Sequence, residues 1–355
     1  MVCGVRRLGP RRSPAGGRCR PVGARVHLLA LPGWTAVASP PIFIIGISQR
    51  CGTHYLYDLL VRHPDCRPAL TQTSPWGSWE DHILHFSDEL SRYADELVAS
   101  NSLNDARTRE LLMRSLGDGL LSFVDNLEPG ASDARRPVSK SPLPENLDRF
   151  SELFPEAVAV LMVREPSAVV VSGMRTFGGS IDHWIRIWRD GARWITQFLQ
   201  EHPSSAVLVR FEDLFEDPAG YLSALLPKLG LSSDRYDFSE ARRLPVRGSS
   251  QLGGTPTGVQ WLPVAPNETF NPLNRGKELS DVDRQRIRWR ALPEMTTFGY
   301  APDEFTGPGT FRAIYFQSQS TATRVIRGAR LALRDLRDAQ TRRLRRRRRR
   351  PRPLP

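Results

Sequence analysis

The chain has 355 residues, 40% hydrophobic and 25% charged, with 50 Lys and Arg against 38 Asp and Glu, a net charge of +12. That length suits one large or two ordinary domains. The charge is uneven: residues 1–40 carry seven Arg and no acid, residues 306–355 carry fifteen Arg and two Asp, and residues 41–305 are left at −8, which excludes a basic nucleic-acid-binding core.

Residues 1–40 are rich in Arg, Gly and Pro and read as a disordered segment. Their one apolar patch, VHLLALPGWTAVAS, is too short to span a membrane and is broken by Pro32 and Gly33. Its Ala-Val-Ala end faintly resembles a signal-peptide cleavage site, and a misassigned start codon is an equal reading. Cys3, Cys19, Cys51 and Cys66 show neither metal-site spacing nor a disulfide framework, which favours a reducing, cytoplasmic setting. No metal is expected.

The stretch IFIIGISQRCGTHYLYDLL, Ile42 to Leu60, predicts a buried strand over 42–47, a tight loop, and a helix over 53–63. Such a loop aims backbone N–H groups and a helix N-terminus at one point, which makes an anion site. A Walker ATP loop needs a Lys before the Ser or Thr. Here Gly46 and Gly52 are spaced one residue too far apart, and Thr53 follows Gly52 directly.

The loop Ser-Gln-Arg-Cys-Gly-Thr-His instead resembles the 5′-phosphosulfate loop of sulfotransferases, [RK]-S-G-T-[TS]. Arg50, Gly52 and Thr53 sit at matching positions, while Cys51 and His54 replace a Ser and a Thr or Ser. Ala157 to Gly178 resembles the family's 3′-phosphate element: an apolar strand ends at Arg164, Pro166 suits a first helical turn, and Ser172 follows at the family spacing. An Arg at a strand's C-terminal end lies where open α/β sheets bind ligands, and its fork suits a phosphate. Three more segments fit in order: the K-[ST]-P segment at Lys140, the R-[YF]-E-D-L segment at Arg210, and the C-terminal closing region at Arg275, although its frequent Gly-Arg-Trp is absent. The resemblance spans roughly residues 41–303.

Further along the chain, helices are expected over 81–99 and 106–125, a short strand over 137–140, a helix over 145–154, a strand over 157–163 and a helix over 166–176. Ile181, Trp184, Ile185, Trp188 and Ile195 mark one face of a long helix running to His202, with both tryptophans read as core. A strand over 206–210 and a helix from Pro218 to Leu229 follow. Residues 235–275, dense in Gly, Pro and Arg, predict a long loop of the lid or substrate-binding kind. This alternation means an α/β fold, a three-layer, P-loop-NTPase-like parallel sheet flanked by helices, at 41–305. Beyond it, residues 306–355 read as a basic tail, disordered or partly helical. The six consecutive Arg at 345–350 suit an anionic membrane surface, giving peripheral membrane attachment as an option, and no specific nucleic acid is expected.

The resemblance implies 3′-phosphoadenosine-5′-phosphosulfate (PAPS) as co-substrate and transfer of its sulfuryl group to an acceptor hydroxyl or, second, an amine. Arg50, Cys51, Gly52, Thr53 and His54 would surround the 5′-phosphosulfate, Arg164 and Ser172 would hold the 3′-phosphate, and Arg210 and Arg275 would add weaker contacts. Lys140 would stabilise the bridging oxygen. Glu80 is the expected base, with His82 and His85 as alternatives, and Trp76 and Trp79 beside it could line the acceptor pocket. Cys51, at a helix start beside Arg50, has two readings: an inert small residue, which is preferred, and a thiol of lowered pKa that alkylates readily. The acceptor stays open among carbohydrate, lipid, small metabolite and tyrosine. A P-loop kinase and a non-catalytic binding protein on the same fold are the rival readings.

Overall fold

Ile42–Gly46 is wholly buried, and it becomes the central strand β1 of a five-stranded sheet in this computed structural model. The structure describes residues 40–69, 83–100, 106–127, 135–247, 249–250, 259–260, 263–265, 271–301 and 307–318. Strand β1 lies between β3 (Arg136–Ser141) and β4 (Val158–Val163); β2 (Cys66–Pro68) and β5 (Ala206–Arg210) form the edges. Every pairing in this sheet is parallel, so all five carboxyl ends open on one side. Parallel strands need crossovers, and helices supply them: α1 (Thr53–Leu60) follows β1, α2 (Ile83–Ser100) and α3 (Ala106–Leu127) lead to β3, and the single turn α4 (Phe150–Leu153) precedes β4. Helices α5 (Pro166–Phe177) and α6 (Ile181–Glu201) connect β4 to β5. The expected α/β sheet flanked by helices is therefore the observed one.

The register places the site. Gly46 pairs with Met162 and Val163 pairs with Arg210, so the loop after β1, Arg164 after β4 and Phe211 after β5 emerge together. Helix α6 fixes this edge. Its buried Trp188 donates from Nε1 to the Arg164 carbonyl at 2.9 Å. At Gly191 an added Cβ would stand 1.8 Å from the Ile47 carbonyl oxygen, so only glycine lets the helix approach the loop this closely. Trp184 and Trp188 are core residues, as their helical spacing predicts.

Several elements differ from the sequence expectations. Helix α1 stops at Leu60 rather than 63, because His63 precedes Pro64 and is biased away from the helical region. The expected helix over 145–154 divides into a 3₁₀ turn (Leu147–Arg149) and the single turn α4. Helix α7 (Phe211–Glu216) starts without a connecting residue after β5, ahead of α8 (Pro218–Lys228). The expected 235–275 loop contains the one-turn α9 (Phe238–Ala241), an antiparallel bridge between Val246 and Val264, and the two-residue strands β6 (Ser249–Ser250) and β7 (Val259–Gln260). A 3₁₀ turn (Pro272–Glu278) and α10 (Asp281–Thr297), capped by the Ser280 side chain on the Asp283 amide, complete this part. No helix among the described residues is long and apolar enough to cross a membrane.

Candidate active site

The β1–α1 loop turns through two left-handed residues, Arg50 at φ 73° and Gly52 at φ 102°. Gly52 is required twice over, since a Cβ there would also lie 2.3 Å from the Phe211 ring. Gly52 is the N-cap residue of α1, and no side chain caps that helix. No side chain therefore offsets the positive end of the helix dipole there.

Arg164 ties three elements together. Its Nη1 donates to the Arg50 carbonyl at 3.0 Å, its Nη2 donates to the Pro272 carbonyl at 2.6 Å, and its guanidinium lies 4.2 Å from the Phe211 ring centre. The buried Arg164 Nε has no hydrogen-bond partner among the described residues. Arg50 donates from Nε to the buried Ser172 hydroxyl at 3.0 Å. Arg275, also buried, reaches Glu278 at 3.4 Å. Burial and the nearby Arg164 and Arg275 charges lower the Arg50 pKa to about 10, and burial likewise lowers Arg164 and Arg275. All three remain cations at neutral pH.

These groups line one cavity of about 530 Å³, its open mouth included, with Gly52, Thr53, His54 and Tyr55 on one side and Val246, Arg247 and Pro272 on the other. The described residues of that lining include no Asp or Glu. Burial, reinforced by Lys140, Arg247 and Arg50, holds the His54 pKa well below 6.5, so its imidazole is neutral. Arg247 is itself held by a two-pronged ion pair to Asp58, one turn beyond His54 on α1. A cluster of cations beside a helix start with no side-chain cap has the chemistry of an anion site.

The structure thus brings Arg50, Gly52, Thr53, His54, Arg164, Ser172 and Arg275 to one cavity. Lys140 is buried on β3 beside Ile44 of β1, close enough for its charge to act on His54. Arg210 lies apart from the cavity lining. Its guanidinium rests 4.6 Å from the Tyr300 ring centre and 3.7 Å from Asp213, and Tyr300 in turn donates to Glu212 at 2.7 Å. The chain turns from β5 into α7 between these two residues, and it is the neighbour, Phe211, that lines the cavity.

Cys51 fits the inert small residue and not the reactive thiol. It is fully buried outside the lining, and burial raises its pKa, outweighing Arg164 and the backbone amides. Glu80, His82, Trp76 and Trp79 lie outside the described residues, and so does the side chain of His85. Sequence reasoning passed over Phe211, Tyr55, Pro272, Val246 and Arg247. For Phe211 the signal was present, as the aromatic position of the Arg-Phe-Glu-Asp-Leu segment.

The model of the sulfotransferase family matches residues 40–235, more than half of the chain and all of the sheet. The chain belongs to the sulfotransferase family. This sulfotransferase is also similar to solved structures. The sulfotransferase domain of the Synechococcus PCC 7002 olefin synthase is 21% identical over 74% of this chain and 96% of that one, with a TM-score of 0.44. Sulfotransferase STF1 of Mycobacterium tuberculosis H37Rv is 21% identical over 57% and 70%, with a TM-score of 0.36. Mouse sulfotransferase SULT7A1, complexed with PAP, is 14% identical over 59% and 64%, with a TM-score of 0.32. No curated protein matches the chain. Membership rests on the family match and not on these distant superpositions.

Proposed function

We propose that this sulfotransferase uses PAPS as donor and an acceptor hydroxyl as recipient, releasing 3′,5′-ADP. The observation that carries the reading is the convergence of Arg50, Arg164, Arg275 and Ser172 with the uncapped start of α1 in one cavity. We assign two anion positions within it, adjoining where Arg50 meets Ser172. One lies at the α1 N-terminus, and the other lies among Ser172 on α5, Arg164 on β4's end and Arg275. A donor with anionic groups at both its 5′ and 3′ positions fits that layout, whereas the loop lacks the Lys by which a Walker site grips ATP.

PAPS, when bound, supplies the sulfuryl group. The chain's own groups do the remaining work. The α1 amides, the Thr53 hydroxyl and Arg50 hold the 5′ end and spread its charge, which is how positioned dipoles and cations assist transfer. Arg164 and Ser172, with Arg275, hold the 3′-phosphate. Phe211 packs against the Arg164 guanidinium, 4.2 Å from ring centre to Cζ, and helps fix its position. Lys140, buried on β3, would offset charge on the oxygen bridging to the leaving group. The acceptor proton passes to a base, for which Glu80 remains the proposal, with His82 and His85 as the alternatives.

Incubating the full chain with ³⁵S-labelled PAPS and a panel of carbohydrate, lipid, phenolic and amine acceptors tests the reading. Acceptor-dependent release of 3′,5′-ADP with label on an oxygen is expected. Tight 3′,5′-ADP binding with no transfer across the panel would favour the non-catalytic binding protein. Transfer of a phosphoryl group from Mg-ATP would overturn the donor.

A further inference from the structure

A helix over residues 310–318 closes the described part of the chain, and its apolar stripe points the wrong way for a globular protein. Phe316 anchors it: its ring is buried 5.8 Å from that of Trp289 on α10, with the Arg286 guanidinium 5.9 Å away. Arg312, one turn earlier on the same side, donates to Gln285 at 2.9 Å. Phe311, Ile314 and Tyr315 stand at i, i+3 and i+4, which makes one helix face. That face is outward, with exposures of 91%, 60% and 51%. A helix normally buries its apolar stripe, so an exposed one marks an interaction surface.

The sequence that follows says what kind of surface it meets. Residues 319–355 carry fourteen Arg and two Asp, with no Lys or Glu. An aromatic and aliphatic stripe continuous with a strongly basic segment has the two elements of interfacial binding: apolar side chains for the acyl boundary, and cations for anionic headgroups. The stripe separates lipid from nucleic acid as the partner. Arginines alone would suit a phosphate backbone, but an outward isoleucine gains nothing there.

We infer that the 310–318 helix docks this protein on an anionic membrane surface, with Phe311, Ile314 and Tyr315 inserted at the headgroup level; the Arg-rich composition of the sequence that follows selects the anionic lipid. The inference does not depend on the donor or acceptor. Its test is flotation of the full chain with phosphatidylcholine vesicles, with and without phosphatidylserine, at two salt concentrations. Binding is expected only with phosphatidylserine, and weaker at high salt. Replacing Phe311, Ile314 and Tyr315 together by Ser is expected to cut vesicle binding about tenfold or more. All three side chains are exposed, so the variant is expected to keep the wild-type circular dichroism and thermal midpoint. Absence of binding to phosphatidylserine vesicles, or binding unaffected by the triple substitution, would overturn the proposal. Concentration-dependent self-association lost in the triple variant, without vesicle binding, would assign the face to a second copy instead. Duplex-oligonucleotide binding indifferent to the triple substitution, again without vesicle binding, would assign the basic segment to nucleic acid.

Discussion

Two strand–turn–helix units stand side by side in this sheet, and their helix starts are finished differently. After β4, the Glu165 carboxylate caps α5 by accepting from the Ala168 amide at 2.8 Å, and Pro166 fills the first helical position. After β1, Gly52 caps α1 in a left-handed conformation and brings no side chain to the amides. The β4–α5 turn satisfies itself and contributes to the cavity through side chains, Arg164 and Ser172. The β1–α1 loop brings no side-chain cap to its helix and contributes through the loop and helix start themselves, Arg50 and Gly52 to Tyr55. One helix start carries its own side-chain cap and the other does not, so two segments of like architecture reach the cavity by different means.

The contrast breaks most severely at Gly52. Gly52→Ala imposes a side chain at φ 102° against the Phe211 ring. It is expected to cost about 2–4 kcal/mol of stability in denaturant titration and to abolish 3′,5′-ADP binding in the fraction that stays folded. Arg164→Lys keeps the charge but loses the fork that reaches both the Arg50 and Pro272 carbonyls. It is expected to weaken 3′,5′-ADP about 100-fold by calorimetry, while Arg210→Ala, at the adjacent strand end, shifts the same affinity less than about threefold.

The neutral His54 makes the open turn sensitive to pH. Its folded pKa is depressed below 6.5 by burial, Lys140, Arg247 and Arg50. The stability tied to its neutral form is therefore complete above pH 6.5 and is lost as pH falls toward the folded value, where only the unfolded chain takes up the proton. The unliganded protein is expected to lose up to about 1.4 kcal/mol per pH unit in that window. Thermal melts of His54→Thr should show a flatter profile, and saturating 3′,5′-ADP should flatten the wild-type profile by offsetting the surrounding cations. Glu165→Ala gives the smallest effect. Loss of the α5 cap is expected to cost about 1 kcal/mol and to leave 3′,5′-ADP affinity within about threefold, because that turn does not depend on the ligand.

The parts of the site legible in the sequence were those where chemistry and position coincide. Arg50, Gly52 and Thr53 lie within one loop, and Arg164 and Ser172 lie within one strand–helix unit, so a short pattern carries each set. The long helix was legible because its apolar face repeats over 21 residues. Strand β2 was not, since three residues, Cys-Arg-Pro, present no period to read. Helix α10 was hidden for a different reason: its sequence is Arg-rich on most sides, and its inward groups include Arg286 and Glu294, which buried pairing sustains. The Arg210 and Phe211 exchange shows the limit of motif reading. A motif marks a segment, and the strand-to-helix junction decides which of two neighbours lines the cavity.

The most direct measurement is calorimetric titration of the full chain with 3′,5′-ADP, with 5′-AMP and Mg-ATP as comparison ligands. Binding of 3′,5′-ADP at least about 100-fold tighter than 5′-AMP is expected, because Arg164, Ser172 and Arg275 engage only a ligand with a 3′-phosphate. Equal affinity for the two, or a preference for Mg-ATP, would contradict the assignment of this cavity to PAPS.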